Sequence, residues 1–222
     1  MDIVVISGAL TTPKLWHHQE QLFPQVHYVD VLSDSIGEMA QRFKEKAPKR
    51  FTLIGFSMGG YVALELYKLI PTQIEQLILI NSGARLISDK GQLERERSLE
   101  LIQKGKFDLL IKLIFKNSLY NQKKYDDLYP LIHDMAFEVG ADNYKKQLNA
   151  ILNKPDHSEL LESIDCPTLL IASRLDQVMP VERSEHMAKH IKKSKLIYME
   201  ECGHMAMLEQ PEQLNQILAH YL

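Results

Sequence analysis

Short runs of apolar, mostly β-branched residues punctuate the chain at Ile3 to Ile6, Val26 to Val31, Phe51 to Ile54, Gln76 to Ile80, Thr168 to Ala172 and Lys195 to Met199. Most are apolar at nearly every position instead of at alternate ones, the pattern of strands covered on both faces. Helical patterns separate them. The stretch from Met58 to Ile70 is apolar nearly all round, which places its helix centrally, whereas Leu214, Ile217, Leu218, Tyr221 and Leu222 form one stripe of a peripheral helix. Strands joined by helices imply right-handed parallel crossovers, so the pattern predicts an α/β fold with a doubly wound, mostly parallel, six-stranded sheet.

Between Gly83 and Asp165 the strand pattern disappears and helical spacing replaces it, clearest at Leu128, Leu131, Ile132, Met135, Ala136 and Val139. This predicts one domain over 1–222, with a core of 1–83 and 165–222 and a helical cap inserted after the fourth strand over 84–164. A chain of 222 residues with 45% hydrophobic and 25% charged residues can bury one full core, and no Pro/Gly/Ser-rich linker divides it.

A net charge of −3 gives no electrostatic reason to expect nucleic acid or an anionic membrane as partner, so a small molecule is the expected one. Asp2 stands where a signal peptide needs basic residues, and no stretch reaches the length of a membrane span. Cys166 and Cys202 fall at opposite edges of a parallel sheet, roughly 15 Å apart at about 3.3 Å per strand residue, beyond disulfide reach. A reduced, cytoplasmic protein is expected. The segment Lys104 to Lys124 is rich in lysine, as a solvated face commonly is.

Three motifs in fixed order carry the chemistry. The first is a strand turning sharply into a helix through Gly55-Phe56-Ser57-Met58-Gly59-Gly60, with serine at the apex. A G-x-S-x-G match alone arises by chance in about one chain in ten, at about 7% frequency per residue; its place between strand and helix gives it weight. Side chains at Gly55 and Gly59 would collide where strand and helix cross. The second motif is the run from Thr168 to Ala172 with its exit loop, which carries Asp176 and then Pro180. Asp176 reads either as a turn or cap residue before that proline or as a carboxylate at the carboxyl edge of the sheet, the edge that also holds Ser57. The third is Gly203-His204 just after the last strand, followed by Glu209 and by Pro211 opening a helix. Of the nine histidines, His204 alone is delivered to that edge by its position; the other eight, the His17 and His18 pair among them, read as surface or satisfied core residues, and His186 with His190 as exposed.

Serine is a poor nucleophile until a base takes its proton, neutral imidazole does so near pH 7, and a buried carboxylate fixes the imidazole tautomer. Ser57, His204 and Asp176 supply those three types. The oxyanion of a tetrahedral intermediate needs donors, which the backbone N–H of Met58 and one N–H from the loop Ser7-Gly8-Ala9-Leu10 provide.

On these motifs the chain resembles the α/β-hydrolase superfamily, in the branch of carboxylesterases, C–C hydrolases, enol-lactonases and the pimeloyl-carrier ester hydrolase. The resemblance runs from the first strand to the last helix. It implies a Ser57, Asp176, His204 triad, an oxyanion hole of Ala9 and Met58, and a helical cap; the residues themselves give no reason to expect a cofactor or metal. Three departures stand out: Ser7 replaces the usual histidine, Ser173 replaces a usual glycine, and the chain starts at what is the family's third strand, without the first hairpin. The last departure leaves Val26 to Val31 as an edge, paired in a homodimer or protected by its short length.

The expected reaction is hydrolysis of a small carboxylic ester, lactone or thioester through an acyl-enzyme. Two alternatives stay open: a hydrolase of carrier-protein-linked acyl groups or of C–C bonds, with the lysine-rich segment as carrier docking site, and a ligand-binding protein without turnover. A serine at position 57 argues against haloalkane and epoxide chemistry, which uses aspartate. His186 and His190 have helical i, i+4 spacing but no third ligand in sequence, and the only glycine-rich turn is the elbow itself. Trp16, Phe107 and Tyr120 are candidates for the pocket lining.

Overall fold

A computed structural model describes residues 2–222. Its strands are β1 (Asp2–Ile6), β2 (Val26–Tyr28), β3 (Phe51–Phe56), β4 (Ile74–Ile80), β5 (Thr168–Ser173) and β6 (Ser194–Met199). The helices, in chain order, are α1 (Ile36–Lys44), α2 (Met58–Leu69), α3 (Asp89–Gln103), α4 (Phe107–Ser118), α5 (Tyr125–Leu152), α6 (Glu182–His190), α7 (Ala206–Glu209) and α8 (Pro211–Tyr221).

The strands form one sheet in the order β2-β1-β3-β4-β5-β6, and every neighbouring pair is parallel. Successive side chains point to opposite faces, and both faces are apolar. Ile3, Val5, Ile54, Ile78 and Ile171 join a cluster with Trp16, α4, α5 and α8, while Val4, Ile6, Leu53, Leu79 and Leu170 pack with α1, α2 and α6 on the other side. That two-sided burial is the reason the strands read as continuous apolar runs. The chain leaves β1 in one direction to form β2 and returns to its other side for β3. The reversal opens a crevice at the carboxyl ends of β1 and β3, the place where open α/β sheets bind ligands.

One strand is shorter than the pattern predicts. β2 ends at Tyr28 because β1 offers it partners only from Ile3 to Val5, and Val29 makes the last hydrogen bond, to the Val5 carbonyl (3.0 Å). Val29 and Val31 are still buried, by packing against the α1 and α2 side and not by strand pairing. β2 lies at the edge of the sheet.

Between β4 and β5 the described residues are helical or irregular, with α3, α4 and α5 accounting for most of them. α5 carries the predicted stripe, with Ile132, Met135, Ala136 and Val139 all buried, and it breaks at Gly140 (φ 77°, ψ 161°). That conformation is open essentially to glycine alone. Beyond the break, Gln147 is fully buried: its Oε1 accepts from the Leu10 N–H (3.0 Å) and its Nε2 donates to the Val31 carbonyl (3.3 Å). The helical segment is thereby tied to both loops at the β1 and β2 end of the crevice. No described helix is long and apolar enough to cross a membrane.

Candidate active site

The turn from β3 into α2 forces Ser57 to φ 52° and ψ −119°, strain that a residue other than glycine adopts only when its surroundings hold it there. They do so closely. The Ser57 N–H donates to the Ile80 carbonyl (3.1 Å), and the Ser57 carbonyl accepts from the Ser82 hydroxyl (2.8 Å) and the Gly60 N–H (3.0 Å). A Cβ on Gly55 would meet the backbone of Gly59 and Gly60 at 2.8 Å, as expected from the strand-helix crossing. A Cβ on Gly59 would instead strike the Ile6 carbonyl oxygen at 2.2 Å, so this glycine lets α2 approach the end of β1.

The exit loop of β5 presents Asp176 with a fully buried side chain. Its two oxygens divide the two roles that the sequence leaves as alternatives. Oδ1 accepts from the N–H groups of Val178 (2.8 Å) and Met179 (2.9 Å), closing the turn before Pro180, and Oδ2 accepts from Nδ1 of His204 at 2.6 Å. Nε2 of His204 lies 2.9 Å from Oγ of Ser57. With Nδ1–H directed at the carboxylate, Nε2 is left as the acceptor for the serine proton. The structure thus brings Ser57, His204 and Asp176 into one hydrogen-bonded line, most of it out of water, since His204 is 5% exposed. The Phe56 ring packs 4.9 Å from the imidazole, centroid to centroid.

Two further residues hold the histidine loop. Asn81, at φ 44°, directs Nδ2 to the His204 carbonyl and to Ser173 Oγ (both 2.9 Å), while its Oδ1 accepts from the Ser173 N–H (2.8 Å). Ser173, a departure from the family pattern, is thereby absorbed into the support of the loop. Glu209 is buried, and its Oε1 accepts from Gly203 N–H (2.9 Å) while Oε2 accepts from the N–H groups of Tyr120 (2.8 Å) and Asn121 (3.0 Å). Burial pushes the Glu209 carboxyl above its ordinary range, against the pull of those three donors. The sequence marks Glu209 as part of a motif without showing what it grips, and it gives no sign of the role of Asn81.

Met58 is the first residue of α2, so its N–H has no intrahelical acceptor, and Ala9 lies in the loop after β1, ahead of Leu10 at φ 59°. Gly8 packs against Ser57: a Cβ there would lie 3.2 Å from the serine Cβ. The loop after β1 therefore stands next to the serine, on the other side of the crevice from the histidine loop. Ser7, the second departure, accepts the indole N–H of Trp16 (3.0 Å).

A cavity of about 120 Å³ opens beside Ser57, bounded by Met58, Tyr61, Ile87, Ile151 and Met179 among others. None of Trp16, Phe107 and Tyr120 lines it, which corrects the sequence expectation. Trp16 is fully buried with its N–H spent on Ser7, Phe107 packs against Phe137 and Tyr144, and Tyr120 is 46% exposed. His186 and His190 are partly buried rather than exposed, because their rings pack together at 4.6 Å and Arg85 donates to His186 Nδ1 (2.9 Å). Among the described residues no three His, Cys, Asp or Glu side chains gather as metal ligands. Both cysteines are free, and burial pushes the Cys202 thiol up to about 12, far from a reactive thiolate at neutral pH.

Residues 3–217 match the profile described as the alpha/beta hydrolase family. Among curated proteins, the chain is 24% identical over 231 residues to the pimeloyl-[acyl-carrier protein] methyl ester esterase of Nitrosomonas europaea, covering 96% of this chain and 92% of that one. It is 25% identical over 175 residues to the pyrrolizixenacetamide deacetylase of Xenorhabdus hominickii, covering 78% of this chain and 65% of the relative. Among solved structures, an esterase from Exiguobacterium antarcticum superposes with a TM-score of 0.88 at 20% identity, over 100% of this chain and 91% of its own.

Proposed function

This chain belongs to the alpha/beta hydrolase family, and from that premise we propose that it is a serine hydrolase that cleaves small carboxylic esters, with Ser57 as nucleophile, His204 as general base and Asp176 as the orienting carboxylate. The observation that carries this reading is the continuous relay from Ser57 Oγ to His204 Nε2 (2.9 Å) and from His204 Nδ1 to Asp176 Oδ2 (2.6 Å) at the carboxyl edge of the sheet.

Oγ of Ser57 attacks the ester carbonyl carbon as His204 Nε2 takes its proton, and the carbonyl oxygen becomes an oxyanion. The backbone N–H groups of Ala9 and Met58 receive that charge, helped by the positive end of the α2 dipole. Collapse of the intermediate breaks the carbon–oxygen bond, and the leaving alcohol takes the proton back from His204. Water then attacks the acyl-serine with His204 again as base, releasing the acid and restoring the serine hydroxyl. A thioester or lactone fits the same sequence of steps.

A carrier-linked acyl substrate draws less support from the lysine-rich segment. Lys112 is paired with Asp108 (2.7 Å), Lys104 with Glu100 (3.6 Å), and Lys124 donates to the Glu209 carbonyl (2.6 Å), so part of its charge is already committed.

The test is a burst assay with short and long p-nitrophenyl esters on wild type and Ser57→Ala, alongside labelling by a fluorophosphonate. Stoichiometric burst and labelling are expected in wild type, and a loss of kcat of about 10⁴-fold or more, with no labelling, in the variant. Wild type that neither turns over nor labels would sink the proposal and bring a non-catalytic ligand-binding protein to the front.

A further inference from the structure

The walls of the cavity beside Ser57 carry an excess of positive charge that the proposed mechanism does not use. Lys90, Arg95, Lys154 and Arg183 line it against a single carboxylate, Glu94. Glu94 is already committed, to Arg95 at 3.1 Å and to Lys90 at 3.9 Å. Among the described residues no carboxylate lies within ion-pair distance of either Lys154 or Arg183.

Lys154 is the most unusual of the four, because it is 6% exposed. A buried ammonium is costly unless an anion meets it, yet Nζ donates only to the Arg85 carbonyl and rests 4.0 Å from the centre of the Tyr61 ring. Burial, then the neighbouring Arg183 and Arg95 guanidinium groups, bring its pKa down to about 7. The one acid that acts on it, Asp156, is exposed and spends its oxygens on the N–H groups of Ser158 (2.8 Å) and Leu86 (3.3 Å). Arg183 gives one donor to the Leu86 carbonyl (3.1 Å) and keeps the rest of its planar fork. A buried lysine that shares one cavity wall with two arginines is disfavoured in the empty protein and relieved when an anion enters among them.

Resting on the serine-hydrolase reading above, we propose that this cavity selects small esters that also carry a carboxylate, which seats between Lys154, Arg183 and Arg95 while the ester carbonyl meets Ser57. Guanidinium groups suit a carboxylate because their parallel N–H bonds match its two oxygens. The modest volume of about 120 Å³ favours a compact acid over a long fatty chain. The negative charge belongs to the substrate and takes no part in bond making.

The test compares the p-nitrophenyl half-ester of adipic acid with p-nitrophenyl hexanoate, two acyl groups of equal chain length that differ in a terminal carboxylate. Wild type is expected to favour the half-ester in kcat/KM by about tenfold or more, the worth of one charge-assisted contact. Lys154→Met and Arg183→Met should each pull that ratio toward one. A wild type that treats the two esters alike, or a preference that survives both substitutions, overturns the proposal.

A binding measurement separates this inference from the reading it rests on. Titration calorimetry of the Ser57→Ala protein should show monomethyl adipate binding at least about tenfold more tightly than dimethyl adipate, and Lys154→Met in the same background should erase the difference. Charge-selective binding without wild-type turnover would support the pocket and sink the serine mechanism. Turnover of neutral and acidic esters at equal rates would do the reverse.

Discussion

Four described residues other than glycine have positive φ, and each lies just beyond the carboxyl end of a strand: Leu10 after β1, Ser57 after β3, Asn81 after β4 and Glu201 after β6. In the helical segment between β4 and β5 the positive values fall on Gly105 and Gly140, where an added Cβ would find nothing within 4 Å. The two regions solve the problem of an unusual backbone differently. The segment uses residues for which the conformation is free of strain, whereas the sheet edge accepts the strain and, at Leu10, Ser57 and Asn81, holds it with hydrogen bonds from other parts of the chain. Strain of this kind gathers where side chains must be aimed, and here it gathers around the proposed nucleophile and base. The contrast teaches that the edge is built for position and the segment for shape.

The sharpest way to break the edge is Asp176→Asn. It leaves an acceptor for the Val178 and Met179 N–H groups but removes the charge that faces His204 Nδ1, so the imidazole takes the wrong tautomer. The expectation is a fall of about 10⁴-fold in kcat with a melting temperature close to wild type, read from ester turnover and a thermal melt. An equally large loss of stability would mean that the turn, and not the relay, is the main duty of this carboxylate.

Asn81→Ala should act mostly on stability. It strips partners from the Ser173 N–H and the His204 carbonyl and puts alanine at φ 44°. Urea unfolding is expected to show a loss of about 2–4 kcal/mol. A loss under about 0.5 kcal/mol, the usual scale of surface substitutions, would show that the strained edge does not depend on these bonds.

The smallest effect sharpens the comparison from the other side. Lys154→Met should stabilise the protein, by about 1 kcal/mol once the lost hydrogen bond and ring contact are subtracted. The sign follows from linkage. A lysine whose folded pKa lies near 7, below its ordinary value of 10.5, binds fewer protons folded than unfolded between those limits. Wild type therefore carries the full penalty below pH 7 and sheds it as pH rises toward 10.5. The melting-temperature gain of the variant should be largest near pH 6 and fade by pH 10; a gain that is flat with pH would show that packing, not charge, is responsible.

Ser57, Asp176 and His204 are legible in the sequence because each sits in a short motif whose strand and turn signals are local. The parallel sheet is legible for a similar reason, since burial on both faces writes itself as unbroken apolar runs. What sequence hides is support that arrives from far along the chain. Gln147 reaches Leu10 across 137 positions, and Asn81 reaches His204 across 123, with nothing in either neighbourhood to announce the contact. Val29 and Val31 mislead in the opposite way: their burial by helices imitates a longer strand. Trp16, Phe107 and Tyr120 look like pocket residues because they are aromatic, but the cavity is lined in good part by charged groups, which helical periodicity alone reads as solvent-facing.

The grip of Glu209 on Gly203, Tyr120 and Asn121, together with the His204 N–H on the Ser118 carbonyl (2.8 Å), reaches beyond the candidate active site. It stitches the end of α4 to the loop that carries the imidazole, so the helical segment is not a module that can be lifted out whole. An engineer who replaces this segment with a foreign one must leave 118–121 with the host, or the new protein inherits a histidine whose N–H has lost its acceptor, with Asn81 left to hold its carbonyl.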